Sequence, residues 1–164
     1  MIALIYIGIA AAIAAAVLTF FSWRWSAGVA AAGYLAAYLG ATFRPELFTL
    51  LFWLATAVLV MVLNITLPRH IATSRTGLGY IAGGSLTGLF AGYLIAPSWI
   101  VLGAVIGTVL GAIAYSFTPA GRQLEFPSGK FVQYLCAKGL PAVVTLALSA
   151  LTILLAVTTL TFAR

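Results

Sequence analysis

The chain has 164 residues, 64% hydrophobic and 6% charged, with eight Lys or Arg against two acids and a net charge of +6. A water-soluble domain of this length covers its surface with polar groups and has roughly a quarter of its residues charged, so this composition excludes one. Lipid is the solvent that remains, and the length suits one integral membrane domain, 1–164.

In hydrocarbon a helix satisfies its own backbone groups, so an all-α polytopic transmembrane bundle is the expected fold class. A hydrocarbon layer about 30 Å thick needs roughly 20 apolar residues at about 1.5 Å each. Runs that meet this lie at about 2–21, 26–43, 47–67, 77–95, 99–117 and 140–162, predicting a bundle of about six spans. The first run has no basic stretch before it, is longer than a signal-peptide core, and ends at Trp23-Arg24-Trp25, so it reads as an uncleaved span. Arg44-Pro45-Glu46 parts the second run from the third, and Pro68 ends the third. Ala96-Pro97-Ser98 turns the chain between the fourth and fifth, with Ser98 available as an N-cap. Residues 118–130 form the longest polar loop, 130–138 predict a short interfacial helix, and Pro141 opens the last span.

The charges mark the boundaries. Arg24, Arg69, Arg75, Arg122, Lys130 and Lys138 fall on one side of such a bundle, and Arg44 and Arg164 on the other. The positive-inside rule makes the first side cytoplasmic and places both termini outside. The basic residues stand singly at the ends of apolar runs and not along one stripe, so nucleic acid is not an expected partner. Arg69, Arg75, Arg122 and Lys130 are instead placed to meet lipid headgroups. Trp23, Trp25, Trp99 and Tyr115 lie near span ends, as interfacial anchors do.

The most informative pattern is small-residue spacing. The fourth run has Gly84, Gly88 and Gly92, with Gly79, Gly83, Thr87 and Ala91 alongside. The fifth repeats it with Gly103, Gly107 and Gly111, flanked by Ala104, Thr108, Ala112 and Ser116. The second has Gly28, Ala32, Ala36 and Gly40, with Gly33 beside them. Residues four apart share a helix face, so each helix presents a smooth strip on which another backbone can lie closely. A tight hairpin of helices four and five at the centre of the bundle is expected, with a spare strip for helix two, a second copy of the chain, another membrane subunit or a lipid.

Chemistry-bearing residues are sparse. Asn64, Thr87, Thr108 and Ser116 are the candidate intramembrane polar groups, and helix-to-helix hydrogen bonding is their ordinary use. They would also line the path of a small transporter or channel between helices two, four and five, which is the alternative reading. His70 has no second ligand at metal spacing, and Cys136 is the only cysteine, with no local His partner. Glu46 and Glu125 fall on opposite sides of the expected membrane and cannot act as a paired acid and base. No catalytic residues, metal or cofactor are expected.

From about residue 59 to 157 the chain resembles an uncharacterised glycine-zipper family of small bacterial membrane proteins, a domain of unknown function. The resemblance rests on Asn64-Ile65-Thr66-Leu67-Pro68, Thr73-Ser74-Arg75, Gly88-Leu89-Phe90 with Pro97, then Gly103, Gly107 and Gly111, and the aromatic segment Phe131 to Lys138. Ser22-Trp23-Arg24-Trp25-Ser26 stands where that family often has a Pro-Gly turn, and its acids near Asn64 and Ala112 are missing here. The resemblance implies a bacterial plasma-membrane location, and the family has no established activity to carry over. The expected function is therefore a structural or accessory membrane component acting through glycine-mediated packing and self-association.

Overall fold

The computed structural model describes residues 2–21, 25–42, 45–66 and 77–162. Every regular element among them is helical: α1 (Ile2–Phe20), α2 (Ser26–Gly40), α3 (Leu47–Thr66), α4 (Leu78–Ile95), α5 (Ile100–Ser116), α6 (Gly129–Tyr134) and α7 (Leu140–Phe162). Short 3₁₀ turns at Pro97–Trp99 and Arg122–Leu124 precede α5 and α6. Five helical stretches are long and apolar enough to cross a membrane, and the chain is an all-α transmembrane bundle. Large apolar side chains point outward all round it, including Phe48, Phe90 and Leu94. In water that surface would be untenable, and in hydrocarbon it is neutral.

The bundle is organised around its last helix. α7 packs against α1, α2, α3, α4 and α5, and its residues from Ala142 to Ser149 are all buried. Along its length Thr145, Ser149, Thr152, Ala156 and Thr159 recur at alternating steps of four and three, and all are buried. That is the period of a helix seam, and its small side chains admit close neighbours. α1 buries a ridge of the same period, Ile5, Gly8, Ala12, Ala15 and Thr19, whose Gly8 lies against Gly33 and Ala37 of α2. Hydroxyls on these ridges are mostly satisfied within their own helix: Thr19 donates to the Ala15 carbonyl, Thr152 to Leu148 and Thr159 to Leu155. Between helices, Ser26 of α2 and Thr145 of α7 form a hydroxyl pair with their oxygens 3.4 Å apart.

The glycine hairpin of α4 and α5 is thus flanking, not central, because α7 and not α2 fills the position between the helix pairs. α2 packs on α1, α3 and α7. Gly33 of α2 fits under Ala11 and the Gly8 carbonyl of α1, where a Cβ would come within 2.9 and 3.1 Å. Gly28 faces the Met61 thioether of α3 instead, and Gly40 is buried at the helix end. α3 adds Leu50, Trp53, Ala57 and Val60 to a core shared with α2 and α7.

Four local expectations are corrected. α2 stops at Gly40, with Ala41 extended, so its 15 residues reach only about 22 Å, short of a full hydrocarbon crossing. Pro141 does not open a separate span: α6 runs on through a π turn, Leu135–Gly139, directly into α7. The wider turn makes room for a ring that would clash in a regular helix. The same turn buries Lys138, which is 3% exposed and so is not a loop charge. Ser98 caps nothing, because Pro97 leads a 3₁₀ turn into α5; Ser128, which accepts from the Phe131 amide, is the side-chain cap in this half.

Ala147 is fully buried on α7, whereas Ala14 is exposed on α1. Ala147→Leu should overpack the central helix and destabilise the fold by about 1–3 kcal/mol. A lowered melting temperature in detergent, with Ala14→Leu unchanged, is the expected outcome.

Candidate functional site

α4 has three faces. Leu78, Ile81, Ala82, Ser85 and Leu89 are buried toward the bundle. Gly84, Gly88 and Gly92 lie on the seam with α5, and Gly79, Gly83, Thr87 and Ala91 form a ridge beside that seam.

At the seam the two backbones touch. A Cβ at Gly84 would collide with the Gly107 carbonyl oxygen, one at Gly88 with that of Gly103, and one at Gly92 with that of Trp99. The relation is reciprocal, since Cβ atoms at Gly103, Gly107 and Gly111 would strike the carbonyls of Gly88, Gly84 and Tyr80. Six of the expected packing glycines therefore meet in one antiparallel seam. Such closeness suits lipid, where association relies on van der Waals contact and on weak Cα–H contacts to carbonyls.

The ridge beside the seam is different. Cβ atoms built at Gly79 and Gly83 would meet nothing within 4 Å. Over this face runs a groove of about 700 Å³, floored by the seam glycines and walled by Thr87 and Ala91 on one side and Ile106 and Leu110 on the other. Ile106 and Leu110 are more than half exposed, so the groove opens outward, away from α7. The Thr87 hydroxyl donates to the Gly83 carbonyl at 2.9 Å, within its own helix.

One end of the hairpin is closed by aromatic rings. Tyr115 is buried between Tyr80 and Tyr134, with ring centroids 5.7 and 5.5 Å apart, so it is a core residue and not an interfacial anchor. Gly77 enters α4 at a φ of +77°, with its missing Cβ facing the Tyr134 hydroxyl and the Tyr115 ring. Both the backbone angle and the space call for glycine there.

The remaining candidates are scattered. Thr108 is buried against Gly139 of the π turn, and Ser116 donates to the Ile113 carbonyl at 2.6 Å. Asn64 is half-buried on α3, which packs on α2 and α7 and not on α4 or α5. Together with the outward-facing Thr87, these residues do not line a common path. Arg122 and Lys130 are exposed at the tyrosine end, where Lys130 pairs with Glu125 at 3.1 Å. Cys136 is exposed, while Arg24, Arg44, Arg69, His70, Arg75, Trp23 and Arg164 lie outside the described residues. Among the described residues, three buried hydroxyls have no hydrogen-bond partner, on Ser85, Thr108 and Ser149. Ser85 and Ser149 escaped the sequence reading; the four-and-three spacing of small residues through 145–159 was the available signal for Ser149.

Comparison of the chain with protein-family models, curated proteins and solved structures finds no match in any of the three.

Adding one methyl group should separate the seam from the ridge. Gly88→Ala is expected to push the helices apart and cost about 1–3 kcal/mol, whereas Gly83→Ala should be neutral or add up to about 1 kcal/mol through helix propensity. Melting temperatures of the two purified variants in one detergent check this pair.

Proposed function

We propose that this protein is a non-enzymatic membrane component that works by lateral helix association, and that the α4 ridge is the face through which it pairs with a second copy of itself. The observation that carries this reading is the contrast within one helix: the seam glycines are covered by α5, while Gly79 and Gly83 have open space above them. A bare ridge has little benefit for a helix facing acyl chains, since glycine weakens the helix by about 1 kcal/mol relative to Ala. It favours close approach of another backbone.

A second copy is the occupant that the ridge itself describes. Two chains inserted with the same orientation are related by a two-fold axis along the membrane normal, and such an interface joins a patch to itself. Gly79, Gly83, Thr87 and Ala91 are small at every four-residue step, so ridge on ridge is sterically complementary. Among the described residues no charged side chain lines the groove, in keeping with an interface formed within hydrocarbon. In this reading the exposed Arg122 and Lys130 face the cytoplasm of a bacterial plasma membrane and its anionic headgroups.

Symmetry makes the test direct. In a Cys136→Ser background, Thr87→Cys should form an oxidative dimer in membranes, because position 87 would meet its own copy. Leu51→Cys, exposed on α3, should not. Adding Gly83→Leu should lower the Thr87→Cys dimer yield by roughly tenfold. Equal crosslinking at position 51, or a dimer insensitive to Gly83→Leu, would reject the reading.

A further inference from the structure

Tyr80 belongs to two surfaces at once. It lines the outer groove with Gly79, Gly83 and Thr87, and it directly follows Gly79 in the chain. Its ring is drawn toward α5, where it packs on Tyr115 at a centroid distance of 5.7 Å and an angle of 44°. Tyr115 is 5% exposed and stacks in turn on Tyr134 of α6, at 5.5 Å and 22°. These two inner rings are buried in one cluster with Ile81, Phe131 and Ala142 and are held firmly. Tyr80 is the outer member, 49% exposed.

We propose that Tyr80 is a latch on the α4 ridge: stacked on Tyr115 it leaves Gly79 and Gly83 bare for a second copy, and released from the stack it covers the Gly79 end and blocks pairing. This inference rests on self-association through that ridge and names what regulates it. A long side chain on a helix has two open rotamers, which lean back toward the helix N-terminus and diverge to either side. For Tyr80 one side faces α5 and is taken by Tyr115. Gly79 lies about 100° round the helix on the other side, and a Cβ there would meet nothing within 4 Å. The second rotamer therefore has room, and the room it takes is the end of the ridge. The backbone at Tyr80 is fixed, since a Cβ at Gly111 of α5 would strike its carbonyl, so a change of place falls to the side chain. The balance between the two positions is set by ring packing on Tyr115, which Tyr134 supports from behind.

Oxidative dimer yield of the full chain carrying Cys136→Ser and Thr87→Cys, measured in membranes, is the readout. Tyr115→Leu should lower the yield roughly two- to tenfold, the shift that loss of one aromatic pair gives. Tyr115→Phe keeps the ring and should leave the yield unchanged. Adding Tyr80→Ala to Tyr115→Leu should restore it, because no ring is left to cross the ridge; a stack that merely closes the hairpin end predicts no such rescue. Should Tyr115→Leu fail to fold, Gly79→Leu decides. Its side chain enters open space, stands where the released ring would lie, and should lower the yield as strongly. Absence of any Thr87→Cys dimer overturns self-association and the latch with it. A dimer that forms but is insensitive to Tyr115→Leu or Gly79→Leu, or is not regained with Tyr80→Ala, overturns the latch alone.

Discussion

Helices in lipid gain almost nothing by leaving one apolar medium for another, and this architecture is arranged around that constraint. What remains to hold them is contact at van der Waals distance, which grows as side chains shrink. The chain meets this with small-residue ridges on five helices. Gly84, Gly88 and Gly92 lie on Gly103, Gly107 and Gly111, and Gly8 lies against Gly33 and Ala37. The ridge from Thr145 to Thr159 carries α7 through the middle of both pairs. Larger residues are mostly turned outward; among the buried ones, Trp53 of α3 packs in the core shared with α2 and α7, and the tyrosines stack at the end of the hairpin.

The same constraint governs the polar groups. Thr and Ser are tolerated because a hydroxyl can return its proton to a carbonyl of its own helix, as Thr19, Thr87, Thr152 and Thr159 do. Among the described residues charged groups are few, and Arg122, Glu125, Lys130 and Lys138 fall in one stretch of chain, where Lys130 meets Glu125 and the π turn holds Lys138. Against this background the departures among the described residues are a glycine ridge on α4 with no helix on it and the buried hydroxyls of Ser85, Thr108 and Ser149, which are not returned to their helices.

Composition and hydropathy determined the solvent, the helical class and nearly all helix positions, because burying an unpaired peptide group or a charge in hydrocarbon is costly enough to override local detail. Four-residue glycine spacing likewise told which faces of α4 and α5 are bare, since helical geometry alone fixes that. Neighbour identity was not legible. Which helix stands at the centre depends on how ridges of similar smallness sort among one another, and Gly28, Gly33 and Gly83 look alike in the chain yet meet Met61, Ala11 and open space. Pro141 and Ser98 failed as boundary signals because a π turn and a 3₁₀ turn absorbed them. The status of Ser149 was likewise decided only by the fold, because whether a hydroxyl finds a partner depends on what the packing of α4 and α7 brings beside it.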